Sequence, residues 1–298
     1  MKPTSSIRHS HHRRSVARGG GFAALVLACG ALGSAAPALA ERAAPKYPSS
    51  IVVIGHSGAT GYDSTAPLPR AWGFARKEAV WKRNVWATGD NPKVKSVYSR
   101  VLARNPAVKG NNFNLASGET DVSRLLRQAQ QAVLLKPTPE LVVVHSVDRD
   151  IACDGSDPRR YKPFGAAFSR VLDVLAKGAP NARVLVVSRW SLDRQHLAVI
   201  EQITTAAERA ANAGEGPCEV FDKSSGALVP ARAAYLEKVV GSYHAQLAAS
   251  CKRFSNCLYD RGALRRMVVV PADLTRDFQH LSVQGQRKAA AIAWSLLY

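Results

Sequence analysis

Acidic side chains are scarce in this chain, 22 against 41 lysines and arginines in 298 residues. Cysteine is limited to five residues, methionine to two and aromatic residues to 7%. There is no internal repeat, which excludes solenoid and propeller architectures. Beyond the first forty residues no apolar run approaches the ~18 residues that a bilayer-crossing helix needs. The cysteines and histidines lack zinc-ligand spacing. Asp148 and Asp150 together fall far short of the roughly six to eight oxygens that calcium takes. A phosphate-cradling loop needs Gly-Lys-Ser/Thr, whereas the glycine-rich stretch after Ile51-Val52-Val53-Ile54 ends Gly61-Tyr62-Asp63. The Gly-x-Ser-x-Gly elbow is missing as well, because Ala59 stands where its second glycine belongs. The chain is therefore read without metal and without cofactor.

The first forty residues have the order of an export signal. Lys2, Arg8, Arg13, Arg14 and Arg18 form a positive head, an apolar run follows from Phe22 to Leu32, and Ala38-Leu39-Ala40 supplies small residues for cleavage before Glu41. Two variants share the segment: Arg13-Arg14 as a twin-arginine signal, and Val26-Leu27-Ala28-Cys29 as a lipoprotein box anchoring the chain through Cys29. The protein is expected to be secreted or periplasmic. Residues 41–298 suffice for one α/β domain with a full core, expected as a monomer. Without the five basic residues of the leader, 36 remain against 22 acidic ones, a net charge of +14. That surface favours an anionic setting, such as cell-wall polymer, acidic polysaccharide or phospholipid head groups. Simple solubility accounts for it equally. Nucleic acid does not fit, since the basic residues are scattered rather than clustered with aromatics. Cys153, Cys218, Cys251 and Cys257 survive cleavage, and an even count in an exported chain points to two disulfides with three connectivities open. Cys251 and Cys257 are close enough to staple a short loop, which would leave Cys153 with Cys218.

Buried strands are expected at Ile51–Ile54, Leu141–Val144, Val184–Val187 and Met267–Val270, the runs of apolar residues without alternation, with a short second strand at Asn111–Leu115. Helices are expected at 121–135, 164–177, 195–213, 230–250 and 282–297, the last N-capped by Ser282. The helical region 191–262 reads as an insertion between strands four and five, and the natural source of substrate choice. Trp72, Phe74, Trp81, Trp86 and Tyr98 crowd the 63–110 connection, either packing it down or lining a groove. Apolar strands alternating with helices make a parallel sheet covered on both faces. Right-handed crossovers then bring every strand's carboxyl end to one rim.

Ser57 follows the first strand on that rim, flanked by Gly55, Gly58 and Gly61. A serine hydroxyl needs a base to take its proton as it attacks. The same rim offers His280, three residues after Asp277 and just before the last helix. Histidine titrates near pH ~6.5, and a carboxylate on its Nδ1 fixes the tautomer that leaves Nε2 free to accept.

Four ordered blocks complete the pattern: Gly55-x-Ser57-x-x-x-Gly61, Ala116-Ser117-Gly118, Asp148-Arg149-Asp150 and Asp277-x-x-His280-Leu281-Ser282. They resemble the GDSL/SGNH hydrolases and span nearly all of the mature chain. The resemblance implies a flavodoxin-like three-layer α/β/α fold with a central five-stranded parallel sheet. It also implies a metal-free serine esterase acting on a lipid, a glycan O-acyl group or a small ester. Ser57, Asp277 and His280 would be the triad, and the N–H groups of Ser57 and Gly118 the oxyanion hole, with a side-chain donor from block three. Two residues depart from the family pattern: His56 stands where Asp is usual, and Arg149 is the best match to the usual asparagine. Arg149 is open to three roles, a substitute donor, a binder of anionic substrate, or a residue turned away from the site. The competing expectation is a non-catalytic exported protein that binds anionic cell-wall polymer.

Overall fold

The computed structural model describes residues 46–65, 67–190, 194–214 and 217–298. The expected leader, its expected cleavage point and Cys29 lie outside these residues. Five strands, β1 (Ile51–Gly55), β2 (Asn112–Asn114), β3 (Leu141–His145), β4 (Arg183–Val187) and β5 (Cys257–Tyr259), form one parallel sheet in the order β2-β1-β3-β4-β5. This is the flavodoxin-like order, with its switch point between β1 and β3.

The three central strands, β1, β3 and β4, are apolar on both faces because both are covered. Ile51, Val53, Val143 and Leu185 pack on one side with α2 (Val97–Leu102) and α8 (Val283–Leu297). Val52, Ile54, Val142 and Val144 pack on the other against α3 (Val122–Ala132), α4 (Asp157–Gly178) and α7 (Pro230–Cys251). Burying each such side chain contributes about 1.5–3 kcal/mol, enough to fix the three layers. The described residues form one compact unit.

Two expected elements fall elsewhere. The fifth strand is Cys257–Tyr259, not Met267–Val270. Residues 267–270 alternate instead, with Met267 and Val269 buried and Val268 and Val270 exposed, and they pair with no strand. The Cys251–Cys257 disulfide ties the true strand to the end of α7, so the edge of β4 is taken before the valine run arrives. The helical region between β4 and β5 consequently ends before Cys257, not at residue 262. The helix expected over 195–213 is two, α5 (Arg194–Ile203) and α6 (Ala206–Asn212). Thr205 starts the second with a reciprocal capping box to Glu208. The 63–110 connection carries α1 (Phe74–Lys82) as well as α2. No described helix is long and apolar enough to cross a membrane.

Candidate active site

The backbone leaves β1 under tight constraint. Gly55 has φ +143°, and a Cβ there would lie 2.0 Å from the carbonyl oxygen of His145 on the neighbouring strand. Only glycine accommodates both the angle and the approach. The His56 N–H donates to that same carbonyl at 3.1 Å, and residues 57–59 turn in a short 3-10 helix. His56 caps this turn, its Nδ1 accepting the Gly58 N–H at 3.1 Å. Gly58 has no room for a side chain, since a Cβ would sit 2.6 Å from the His145 ring. The ring centroids of His56 and His145 are 4.2 Å apart, and both side chains are buried. Burial holds both well below the usual imidazole range, helped at His56 by Arg189 and His280 and at His145 by His56 and Arg189. Neutral His56 can accept the Gly58 N–H; an imidazolium cannot.

Gln128 of α3 secures the strand end from the other face. Its Oε1 accepts the Gly55 N–H at 2.7 Å and its Nε2 donates to the Gly55 carbonyl at 3.1 Å. Gln128 Nε2 also reaches Ser117 Oγ at 3.2 Å, and the Ser117 N–H donates to the Gly55 carbonyl at 3.0 Å. The 117–118 turn is thereby held beside Ser57. The N–H groups of Ser57 and Gly118 make no hydrogen bond among the described residues.

At the other end of the chain, a closed turn carries Asp277 and His280. Leu274 and Leu281 bridge across its base, and the Thr275 N–H donates to the His280 carbonyl at 2.9 Å. Phe278 takes a left-handed conformation at φ +58° to close the turn. Asp277 Oδ2 accepts the His280 Nδ1–H at 2.6 Å, while Oδ1 accepts the N–H groups of Gln279 at 2.9 Å and His280 at 3.0 Å and the Thr275 hydroxyl. Burial pushes the Asp277 carboxyl up, but the bonds from His280, Thr275 and Gln279 outweigh it and bring it down to about 2. An ion pair between Arg276 and Asp63, 2.6 Å apart, fastens this turn to the segment after Ser57.

Ser57, Gly118, Arg149 and His280 line one open cavity of about 900 Å³. A side pocket of about 70 Å³ branches from it between Ser57, Gly58, Arg189 and His280. No direct hydrogen bond joins Ser57 Oγ to His280. Catalytic contacts of this kind are commonly long without substrate and tighten when it binds. With Nδ1 held by Asp277, His280 Nε2 is the ring atom left to exchange a proton.

Arg149 reaches the rim of the cavity, where its guanidinium pairs with Glu119. Arg189, just beyond the carboxyl end of β4, lines both the large cavity and the side pocket. Among the described residues it pairs at long range with Asp148, 4.0 Å away. The strand-end position of Arg189 was the one sequence signal for it. The aromatic connection divides between the two expected roles. Trp86 and Tyr98 are buried, whereas Tyr62, Phe74 and Trp81 line the cavity, with the Tyr62 ring 4.9 Å from that of His280. The disulfides are Cys153–Cys218 and Cys251–Cys257, with Cα separations of 5.2 and 5.4 Å. The first lies in the cavity wall. Among the described residues no group of three or more ligating side chains is placed to hold a metal.

The carboxyl rim of this flavodoxin-like α/β sheet thus carries a serine, a histidine–aspartate pair and, among the described residues, two N–H groups without a hydrogen bond. The sequence matches no protein-family model and no curated protein. Among solved structures it is similar to an acetyl xylan esterase at 14% identity and TM-score 0.46, covering 82% of this chain and 98% of that one. A GDSL-like lipase from Parabacteroides merdae matches at 11% identity and TM-score 0.47, over 83% and 94% of the two chains. A family 3 carbohydrate esterase from Clostridium thermocellum matches at 11% identity and TM-score 0.45, over the same shares. These are likenesses of chain path.

Proposed function

We infer that the protein is an exported serine esterase. Ser57 Oγ attacks the ester carbonyl as its proton passes to His280 Nε2. Collapse of the tetrahedral intermediate returns that proton to the leaving alcohol and leaves an acyl group on Ser57. Water, deprotonated by His280, then attacks the acyl-enzyme, and the acid departs as Ser57 regains its proton. Asp277 keeps the proton on Nδ1 and stabilises the imidazolium. The N–H groups of Ser57 and Gly118 receive the oxyanion, with a guanidinium, from Arg149 or from Arg189, as third donor. An ester suits the site better than an amide, because an alcohol leaves with less help.

The observation that carries this reading is the 2.6 Å contact between Asp277 Oδ2 and His280 Nδ1 in a turn that lines the same cavity as Ser57. A structural histidine needs no carboxylate on its inner nitrogen and no open cavity on its outer one. The catalytic domain is assigned to residues 41–298 and the leader to residues 1–40. Two disulfides support export.

The test is labelling with a fluorophosphonate probe and mass mapping of the adduct. Modification of Ser57, abolished in Ser57→Ala together with hydrolysis of short p-nitrophenyl esters, is the expected result. Equal ester hydrolysis by wild type and Ser57→Ala removes the assignment.

A further inference from the structure

A second depression of about 600 Å³ opens beside the first, between α3 and α4, and the two share Arg149. Its rim carries Arg127 from α3 and Arg159, Arg160 and Arg170 from α4, with Arg149 at the junction. All five are exposed. Positions 159, 163, 167 and 170 are spaced by four, four and three residues, which puts them on one face of α4 looking across to Leu126 and Arg127. The floor between the cations is apolar, built from Leu126, Pro163, Phe164 and Ala167.

The charge balance of this groove is specific. Arg127, Arg159 and Arg170 have no ion-pair or hydrogen-bond partner among the described residues. The two carboxylates that line it are committed to the start of α3: Asp121 caps Arg124 N–H at 2.8 Å and Asp150 accepts Val122 N–H at 2.8 Å. Arg149 pairs with Glu119 and Arg160 with Asp154 at 3.8 Å, so the three unpaired guanidinium groups, set against two committed carboxylates, give the groove its cationic character. The larger cavity differs, since Arg149 and Arg189 there face Glu78, Glu119, Asp148 and Glu219. Free cations have thus accumulated beside the reactive serine rather than around it.

We propose that the α3–α4 groove is a binding subsite for a glycan chain carrying repeated oxyanion groups, carboxylate or phosphodiester, which delivers its ester-bearing unit past Arg149 to Ser57. This assignment rests on the esterase reading for what happens to the bound chain, but not for binding itself. Guanidinium forks match both oxyanions in geometry. Sugar rings offer C–H faces to an aliphatic floor. Nucleic acid fits less well, because the ring floor, Phe164 and Tyr243, is buried and offers no platform for stacked bases. None of the large exposed apolar residues lines the groove, which argues against a membrane surface.

The test uses the mature protein, an oligogalacturonate, a polyol-phosphate polymer, a neutral xylo-oligosaccharide of equal length and a single-stranded oligonucleotide of equal charge. Calorimetric titration of Ser57→Ala should show binding of at least one anionic glycan that weakens as salt rises, and none of the neutral one. Whichever anionic glycan binds identifies the oxyanion. Added to Ser57→Ala, the triple change Arg127→Gln, Arg159→Gln, Arg170→Gln should weaken that binding at least tenfold with unchanged thermal unfolding, and in the chain that keeps Ser57 it should leave p-nitrophenyl ester hydrolysis within twofold of wild type. Undiminished affinity in the triple variant, equal binding of the neutral glycan, no binding of either anionic glycan, or preference for the oligonucleotide overturns the proposal. Anionic-glycan binding without fluorophosphonate labelling keeps the subsite and discards the esterase.

Discussion

Asp277 grips His280 twice, through the side-chain contact at 2.6 Å and through the His280 backbone N–H at 3.0 Å. One residue therefore sets both the position of the imidazole and its tautomer. Asp277→Asn preserves the size but presents an amide that can force the opposite tautomer. The expected outcome is a fall in kcat of about 10⁴ on short p-nitrophenyl esters, the scale seen when this carboxylate is neutralised in serine hydrolases. A loss of less than tenfold would mean that Asp277 only shapes the turn.

Buried histidines make the fold sensitive to acid. His56 and His145 are held far below the usual range by burial, and His244 is lowered to about 3, again chiefly by burial. Each binds a proton in the unfolded chain below pH ~6.5 but not in the native one, so stability is lost as pH falls from there. Each contributes about 1.4 kcal/mol per pH unit to that loss. Asp150 works the other way. Burial raises its carboxyl to about 6, so between roughly pH 6 and 4 the native state gains a proton that the unfolded chain lacks, offsetting one histidine. Urea unfolding should therefore lose about 2–3 kcal/mol between pH 6 and pH 5. Equal stability at the two values would show that the imidazoles are solvated.

Gln128→Leu removes both bonds to the Gly55 peptide while keeping the side chain's bulk. The buried Gly55 N–H loses its partner, at about 1–3 kcal/mol, while the Gly55 carbonyl keeps the Ser117 N–H. The unfolding free energy should drop by about 1–3 kcal/mol, and kcat should drop with it, because the same amide braces Ser117 beside Ser57. A stability change below about 1 kcal/mol would assign the clamp to the sheet ladder instead.

The two disulfides should differ in weight. Cys153 and Cys218 are 65 residues apart in sequence and Cys251 and Cys257 only 6, so the first removes more entropy from the unfolded chain. The difference from loop length is about 2 kcal/mol. Replacing the first pair by serines should lower the unfolding free energy by that much more than replacing the second. The first pair also lines the large cavity, so its loss should raise KM for bulky esters before small ones. The reverse order of stability would point to native-state strain rather than loop closure.

The α/β class and the carboxyl rim were legible in the sequence, because they depend on local pattern, apolar runs of strand length and helix caps such as Ser282. Asp277 and His280 were legible for the same reason, since three residues in a turn suffice to join them. Of the three open cysteine connectivities, it was the structure that selected Cys153–Cys218 and Cys251–Cys257. Tertiary structure decided what local pattern cannot encode. The valine run at 267–270 has the composition of a strand, yet the edge it would occupy is taken first by Cys257–Tyr259 through a disulfide and the β4 ladder. Arg189 and Gln128 gained their places at the site from contacts across sheet and loop that no spacing announces. Sequence fixes which backbone shapes are cheap; which side chains then face one another, and which cations are left without a partner, is settled only when the layers close.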